Sequence, residues 1–232
     1  IQPVFKVASG DNNFYPLIET IAGFGKPMII STGSADLDSV KKIYKSIIKN
    51  SKNKGLNPSL AFLHCVSSYP VPDNEANLAS IIYLKKFFSN LEIGYSDHTL
   101  GIDAAVFSVI AGARIIEKHF TLDKKYSDFR DHQLSADPKE MRLLVERVRK
   151  AETMLGSEEK KIQICEKDMN IVGRRSIAAA RDLPAGTELK WSDFTWIRPG
   201  KGYSPGEENK LIGRKIVREL KIGQIILHTD LE

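Results

Sequence analysis

The segment Leu60-Ala-Phe-Leu-His-Cys-Val66 is apolar along its whole length except for His64. A strand that is apolar on both faces is typical of a parallel sheet that helices cover on its faces. Shorter runs of the same kind, rich in β-branched residues, occur at 4–9, 27–32, 93–98 and 114–121. Together these runs predict an α/β fold with a parallel sheet.

Segments with helical periodicity separate and follow the predicted strands. They lie at 13–24, 36–51, 77–88, 101–112 and 138–155. The last begins clearly, with Asp137 as N-cap, Pro138 in the first turn and Glu140 closing a capping box. The five βα units end near residue 156, whereas a complete (β/α)₈ barrel needs roughly 250 residues. The pattern therefore fits either an open five-stranded sheet or the last five units of a barrel.

The character of the sequence changes after residue 156. Residues 157–171 are charged and lack apolar periodicity, which predicts a linker. From residue 172 short strands and turns prevail, and a repeat relates 181–194 to 218–231 in the frame R-[DE]-L-x-x-G-x-x-[LI]-x-x-[ST]-D-[FL]. This pattern predicts a small all-β domain over 172–232 with pseudo-twofold symmetry.

Each copy of the repeat contains a glycine and a hydroxyl residue at matching positions. Gly186 and Gly223 fit turns that require positive φ. Ser192 and Thr229 fit N-caps that each open one short helical turn.

The composition is that of an ordinary globular protein with a mild basic excess. The 34 Lys and Arg residues against 29 Asp and Glu give a net charge of +5, and the basic residues lie in short scattered runs. Such an excess suits an anionic small substrate but is equally common in proteins that bind nothing anionic, and we expect neither nucleic acid nor membrane as partner. Cys65 and Cys165 do not suggest a disulfide framework, which fits the cytoplasm. The chain begins almost directly with a strand, so we expect upstream sequence to be missing.

Two histidines occupy equivalent positions at the carboxyl ends of neighbouring strands. Residues two apart in a strand share a face, so Ser96 points with His98, and Glu117 points with His119. Carboxyl strand ends are where both candidate architectures place active sites. A single histidine more often satisfies a buried backbone partner, but two of them beside a carboxylate suit a divalent metal with open positions for substrate.

Other polar residues are weaker candidates for anion or sugar binding. Lys6 lies in an apolar strand and suits a phosphate or carboxylate, or its ammonium extends to solvent. Ser67 is a further anion donor at a strand end. Asp131 lies in a loop that fits either of two roles: it binds the hydroxyl groups of a sugar, or it only forms a turn. Arg198, in a turn-rich loop, fits an exposed hairpin tip.

Six segments resemble the sialic acid synthase (N-acylneuraminate synthase) family, which includes spore-coat, legionaminic and pseudaminic acid synthases. The segments keep their order over the whole chain. They are Lys6-Val-Ala-Ser-Gly10, Ile30-Ser-Thr-Gly33, Leu63-His-Cys-Val-Ser-Ser-Tyr-Pro70, Gly94-Tyr-Ser-Asp-His-Thr99, Glu117-Lys-His-Phe-Thr121 and Arg198-Pro-Gly-Lys-Gly202.

The resemblance implies the last five units of a (β/α)₈ TIM barrel over 1–156, followed by an antifreeze-like (SAF, β-clip) domain. It implies that His98 and His119 hold a divalent metal, typically manganese, with magnesium or cobalt as alternatives. Phosphoenolpyruvate would then be surrounded by Lys6, Ser67, Ser96 and His98.

The resemblance also places Tyr69, Asp131 and the catalytic Glu117 near an amino sugar. Arg198 would reach the sugar's N-acyl group from the partner subunit of a domain-swapped homodimer. Asp11 stands where the family often has a longer glutamate, and Ser67 stands where some members have asparagine, so both positions bear on sugar choice.

The implied activity is condensation of phosphoenolpyruvate with an N-acetylmannosamine-type sugar to a nonulosonic acid. The alternatives are a synthase that uses a 6-deoxy diacetamido sugar, as pseudaminic and legionaminic types do, and a non-catalytic fragment that binds sugar or a partner through its β-clip domain.

Overall fold

Five parallel strands pair in the order in which they occur along the chain. They are β1 (Phe5–Val7), β2 (Met28–Ser31), β3 (Leu60–Cys65), β4 (Glu92–Asp97) and β5 (Ile116–Lys118). The computed structural model describes residues 3–232. A doubly wound sheet reverses its strand order at a switch point, whereas a barrel keeps sequential order. Of the two architectures that the sequence allows, the structure therefore selects part of a barrel.

Among the described residues of the first compact unit, which ends at Gly156, six α-helices accompany these strands. They are α1 (Tyr15–Ala22), α2 (Leu37–Asn53), α3 (Ala79–Phe87), α4 (Asp103–Ile110), α5 (Arg130–Leu134) and α6 (Pro138–Leu155). The predicted capping box of α6 is confirmed, since Asp137 accepts from the Glu140 amide and Glu140 accepts from the Asp137 amide. The short helix α5 lies where the sequence predicted only a loop.

The strands alternate between a helix-packed face and a concave face. Ile30, Phe62 and Ile93 are fully buried in the core that the helices cover. Residues between these apolar positions point the other way, and Lys6, for example, contacts Ser31 and Glu117. The alternation thus delivers polar side chains to the concave face and to its carboxyl-terminal rim.

The second compact unit, Ser157–Glu232, begins with more regular structure than predicted. A 3₁₀ turn (Ile164–Glu166) and helix α7 (Lys167–Val172) lie within the predicted linker 157–171 and its border. The apolar residues of α7 are exposed, which explains why no apolar stripe marked it. Strands β6 (Ser176–Ala179) and β7 (Phe194–Ile197) then form an antiparallel pair, beside isolated bridges.

The two copies of the repeat adopt matching structures. Gly186 and Gly223 have φ of +83° and +79°, as predicted. The expectation that Ser192 and Thr229 are N-caps is wrong, because each lies in the middle of its 3₁₀ turn. The following aspartates close the turns instead.

These aspartates, Asp193 and Asp230, make the same bonds in both copies. They accept from the amides of Lys190 and Leu227 at 3.0 and 2.9 Å. Asp193 also accepts from Nε of Arg181 at 2.8 Å, and Asp230 accepts from Nε of Arg218 at 2.6 Å. Because both copies make the same bonds, the repeat has a structural role.

The described residues also show whether a helix could cross a membrane and whether the two cysteines are paired. Within residues 3–232 no helix combines the length and the apolar character needed to cross a bilayer. Cys65 is buried, Cys165 is exposed, and both thiols are free.

Candidate functional site

Polar side chains from the first and last strands meet on the concave face. Lys6 Nζ lies 3.2 Å from Glu117 Oε2 and donates to Ser31 Oγ at 2.9 Å. Ser96 Oγ donates to the other carboxylate oxygen, Glu117 Oε1, at 2.6 Å. The Glu117 carboxylate is thereby oriented by an ammonium and a hydroxyl, and it remains partly exposed and open to a ligand.

The two predicted histidines lie side by side at the rim. The ring centroids of His98 and His119 are 5.2 Å apart, with the planes inclined at 66°. His98 follows directly after β4, and His119 follows directly after β5. The structure therefore brings together the pair that the strand positions predicted.

The backbone fixes the tautomer of His98. Its Nδ1 lies 3.0 Å from the Val66 carbonyl oxygen. A carbonyl can only accept, so Nδ1 carries the proton and the lone pair of a neutral ring resides on Nε2. Burial works against the charged ring, but the contact with the Cys65 thiol and the bond to Val66 outweigh it and raise the pKa of His98.

His98 and His119 are the candidate ligands for a divalent cation. Metal-binding histidines usually donate their second ring nitrogen to a carbonyl or carboxylate, as His98 does. Within the described residues no group of three or more His, Cys, Asp and Glu side chains is arranged to hold a metal ion. Two imidazoles fit a cation whose remaining ligands come from substrate and water.

Tyr69 covers the histidine pair. Its ring centroid lies 4.2 Å from that of His98 and 5.9 Å from that of His119. Arg130, which the sequence did not single out, places its guanidinium carbon 4.9 Å from the Tyr69 ring. Burial, followed by nearby negative charge, raises the pKa of Tyr69, so its hydroxyl stays protonated and can donate to a ligand.

Ser67 lies in a second polar group near the end of β2. Gly33 N donates to Ser9 Oγ at 3.0 Å. A Cβ on Gly33 would lie 2.2 Å from Ser67 Oγ and 2.6 Å from Ser9 Oγ. Glycine is thus required for two hydroxyls to approach the backbone closely, an arrangement suited to an anion. Ser9 is a candidate that the sequence did not single out.

The remaining predicted residues lie apart from this cluster or at its margin. Asp131, in α5, is half-buried beside Arg130, at 4.0 Å between Oδ1 and Nε. Asp11 lies in the 3₁₀ turn Ser9–Asp11, exposed. Arg198 lies in the second unit, where its Nε donates to the Gly173 carbonyl at 2.8 Å.

His64 is not part of the site. It is buried, and its Nε2 donates to the Ala76 carbonyl at 2.9 Å. Burial lowers the pKa of His64, so the ring is neutral near pH 7.

A cavity of about 550 Å³ also adjoins the concave face. Lys6 and Glu117 lie in its lining, together with apolar side chains of Ile29, Leu63 and α6. Lys6 and Glu117 therefore border both this cavity and the rim, and we place the chemistry at the rim, where charged and hydrogen-bonding groups converge.

Comparisons with known proteins agree with the fold. The family model described as the NeuB family matches residues 2–160, and the SAF domain model matches residues 174–232. The N-acetylneuraminate-9-phosphate synthase of Mus musculus is 38% identical over 99% of this chain. The N,N'-diacetyllegionaminic acid synthase of Legionella pneumophila is 39% identical over 98% of it.

A solved structure extends the comparison to three dimensions. The spore coat polysaccharide biosynthesis protein E of Chromobacterium violaceum superposes with a TM-score of 0.79 at 27% identity, over 99% of this chain and 67% of its own. The chain spans 62% of the mouse relative and 63% of the Legionella relative, so those proteins are considerably longer.

Proposed function

The chain belongs to the NeuB family, and on this premise we propose that it carries the catalytic rim of a nonulosonic acid synthase. The reaction condenses phosphoenolpyruvate with an N-acylated amino sugar of the N-acetylmannosamine type. The observation that supports this proposal most is the convergence of His98, His119 and the Lys6–Glu117–Ser96 network at the carboxyl ends of the strands. The names of the mouse and Legionella relatives point to the same class of product.

His98 and His119 would hold a divalent metal, with manganese first and magnesium or cobalt as alternatives. Such an ion supplies Lewis-acid polarisation of the sugar's aldehyde. His98 contributes a prepared lone pair, because its bond to Val66 keeps the proton on Nδ1. Tyr69 shields the pair from water on one side.

Phosphoenolpyruvate would be held by the cationic and hydroxyl groups of the rim. Lys6 neutralises the carboxylate or phosphate and Ser67 donates to its oxygens, with Ser96 and His98 lying around it. C3 of phosphoenolpyruvate forms a bond to the aldehyde carbon, and the aldehyde oxygen takes up a proton to become a hydroxyl. Water adds at C2 with loss of a proton, and phosphate leaves by cleavage of the C2–O bond. Glu117 accepts the proton of the attacking water, with Ser96 and Lys6 orienting its carboxylate.

The amino sugar would be bound by residues at the margin of the rim. Tyr69 and Asp131 face its hydroxyls, and Asp11 takes part from the turn after β1. Arg198 would contact the N-acyl group from the partner subunit of a domain-swapped homodimer. We place the reaction in the cytoplasm, where the two free thiols stay reduced.

A synthase that uses a 6-deoxy diacetamido sugar is the second candidate, since the Legionella relative is as similar as the mouse one. Product analysis with both sugars separates the two. A non-catalytic fragment that binds a sugar or partner through its C-terminal unit is the third candidate, and the absence of turnover by the protein from the complete reading frame would favour it.

The bond cleaved gives the sharpest test of the reaction. In H₂¹⁸O we expect the protein from the complete reading frame to release unlabelled phosphate and to place ¹⁸O at C2 of the sugar acid. Label in the phosphate would indicate P–O cleavage and would contradict the mechanism. A Glu117→Gln variant serves as the control for background hydrolysis.

A further inference from the structure

A charged pair lies behind the rim, on the opposite face of the same two strands. Asp97 precedes His98, and Lys118 lies between Glu117 and His119. The two residues are register partners on β4 and β5. Lys118 Nζ lies 2.9 Å from Asp97 Oδ2, and the two side chains are 1% and 0% exposed.

The pair is saturated with hydrogen bonds that converge on Thr99. Asp97 Oδ1 accepts from the Thr99 amide and from its hydroxyl, both at 2.8 Å. Lys118 Nζ donates to the Thr99 carbonyl at 2.6 Å. Tyr95 adds a bond from its hydroxyl to Asp97 Oδ1 at 3.3 Å. Thr99 is therefore held through its amide, its hydroxyl and its carbonyl.

This arrangement fixes the backbone on both sides of His98. Asp97 is held before it and Thr99 after it, and the His98 carbonyl accepts from the Val71 amide at 3.0 Å. On β5, the anchored Lys118 stands between Glu117 and His119 in the sequence. Every candidate metal or proton-transfer group of the rim is thus next in sequence to a member of the buried pair.

Stability alone does not account for such a pair. Desolvating two charges is costly, and replacing a buried ion pair by apolar residues of similar volume is often neutral or stabilising. An apolar pair, however, has no directional bonds with which to hold Thr99. We propose that Asp97 and Lys118 are positioning residues that set the distance and orientation of His98 relative to Glu117 and His119. This inference rests on the proposed function for its catalytic consequence only.

The test uses the double variant Asp97→Asn/Lys118→Met, which removes both charges and retains an acceptor for Thr99. In the metal-free chain, ¹⁵N-edited imidazole spectra report the tautomer of His98. We expect a single Nδ1–H form in the wild type and a mixture in the double variant. Manganese affinity measured by calorimetry should fall about 10- to 100-fold, as for other groups that support metal ligands.

The catalytic readout uses the protein from the complete reading frame. There kcat should fall more than KM rises. The matched control is Asp193→Asn, which loosens an ion pair in the other unit and should lower the melting temperature without changing manganese affinity or the His98 spectrum. If Asp193→Asn lowered manganese affinity and changed the His98 spectrum as much as the double variant does, general destabilisation would explain both effects. That result would overturn the proposal.

Other results also decide whether Asp97 and Lys118 position His98. A double variant with wild-type imidazole spectra and manganese affinity would overturn the positioning role. If the double variant does not fold, Thr99→Val takes its place, since it removes only the hydroxyl bond, and an unchanged His98 spectrum would again contradict the proposal. A wild-type protein that binds none of manganese, magnesium and cobalt would refute the proposed function, while the spectra would still decide the positioning role.

Discussion

Lys6 Nζ and Glu117 Oε2 lie 3.2 Å apart, although they belong to the first and last strands of the five-stranded sheet. Adjacent strands are about 4.8 Å apart, so a flat sheet would separate these strands by roughly 19 Å. A long side chain reaches across only because the sheet curls. The contact therefore links the barrel curvature to the chemistry of the concave face.

Glu117 is predicted to act in proton transfer. Replacing it with glutamine retains the shape but removes the base, so kcat should fall about 10²- to 10⁴-fold. Steady-state kinetics of Glu117→Gln measure this loss. Glu92→Gln, at the exposed start of β4, is the matched control and should have no effect. Retention of full kcat in Glu117→Gln would exclude Glu117 as the base.

Lys6 is predicted to bind the anionic substrate. In Lys6→Met, loss of a charge-assisted bond worth about 1.5–3 kcal/mol should raise the KM for phosphoenolpyruvate about 10- to 100-fold. Lys41→Met changes a partly exposed lysine on α2 and should leave the KM unaltered. An equal rise in both variants would indicate a general effect of net charge.

Gly33 is predicted to be intolerant of even a methyl group. In Gly33→Ala the new Cβ would lie 2.2 Å from Ser67 Oγ, so the hydroxyl must move. Such displacement should reduce kcat/KM for phosphoenolpyruvate by about 10- to 100-fold. In Gly10→Ala the added Cβ meets nothing within 4 Å, and this variant should match the wild type. If the two variants were equally active, the hydroxyl group near Gly33 would have no role.

His64 is predicted to make the first unit sensitive to acid. Because burial lowers its pKa below the unfolded value of 6.5, the unfolded state binds the proton more readily. The stabilisation is complete above pH 6.5 and is lost as pH falls from there through the folded pKa, at up to about 1.4 kcal/mol per pH unit.

Urea unfolding at pH 7.5 and pH 5.5 measures this effect. The free energy of unfolding should drop more in the wild type than in His64→Gln, whose amide can still donate to the Ala76 carbonyl. If the free energy of unfolding had the same pH dependence in both proteins, burial would not lower the pKa of His64, and the prediction would be wrong.

Local signals explain what could be predicted from the sequence. The capping box of Asp137 and Glu140 and the two-residue alternation of Ser96 and His98 require only neighbouring residues, and both are present in the structure. The choice between an open sheet and a barrel depends on strand order, which no single segment encodes. Only the resemblance to the sialic acid synthase family predicted the barrel.

Contacts between distant segments explain what could not be predicted. Arg130 meets Tyr69 only after the chain folds, and its own segment shows no helical period long enough to detect. Asp97 and Lys118 look like ordinary polar residues until the strand register makes them partners in the interior.

Manganese binding by the histidine pair tests the central claim most directly. Calorimetric titration of the chain should show one site, and both His98→Ala and His119→Ala should weaken it at least about 10-fold, while His132→Ala should leave it intact. Wild-type affinity in either rim variant would contradict the account.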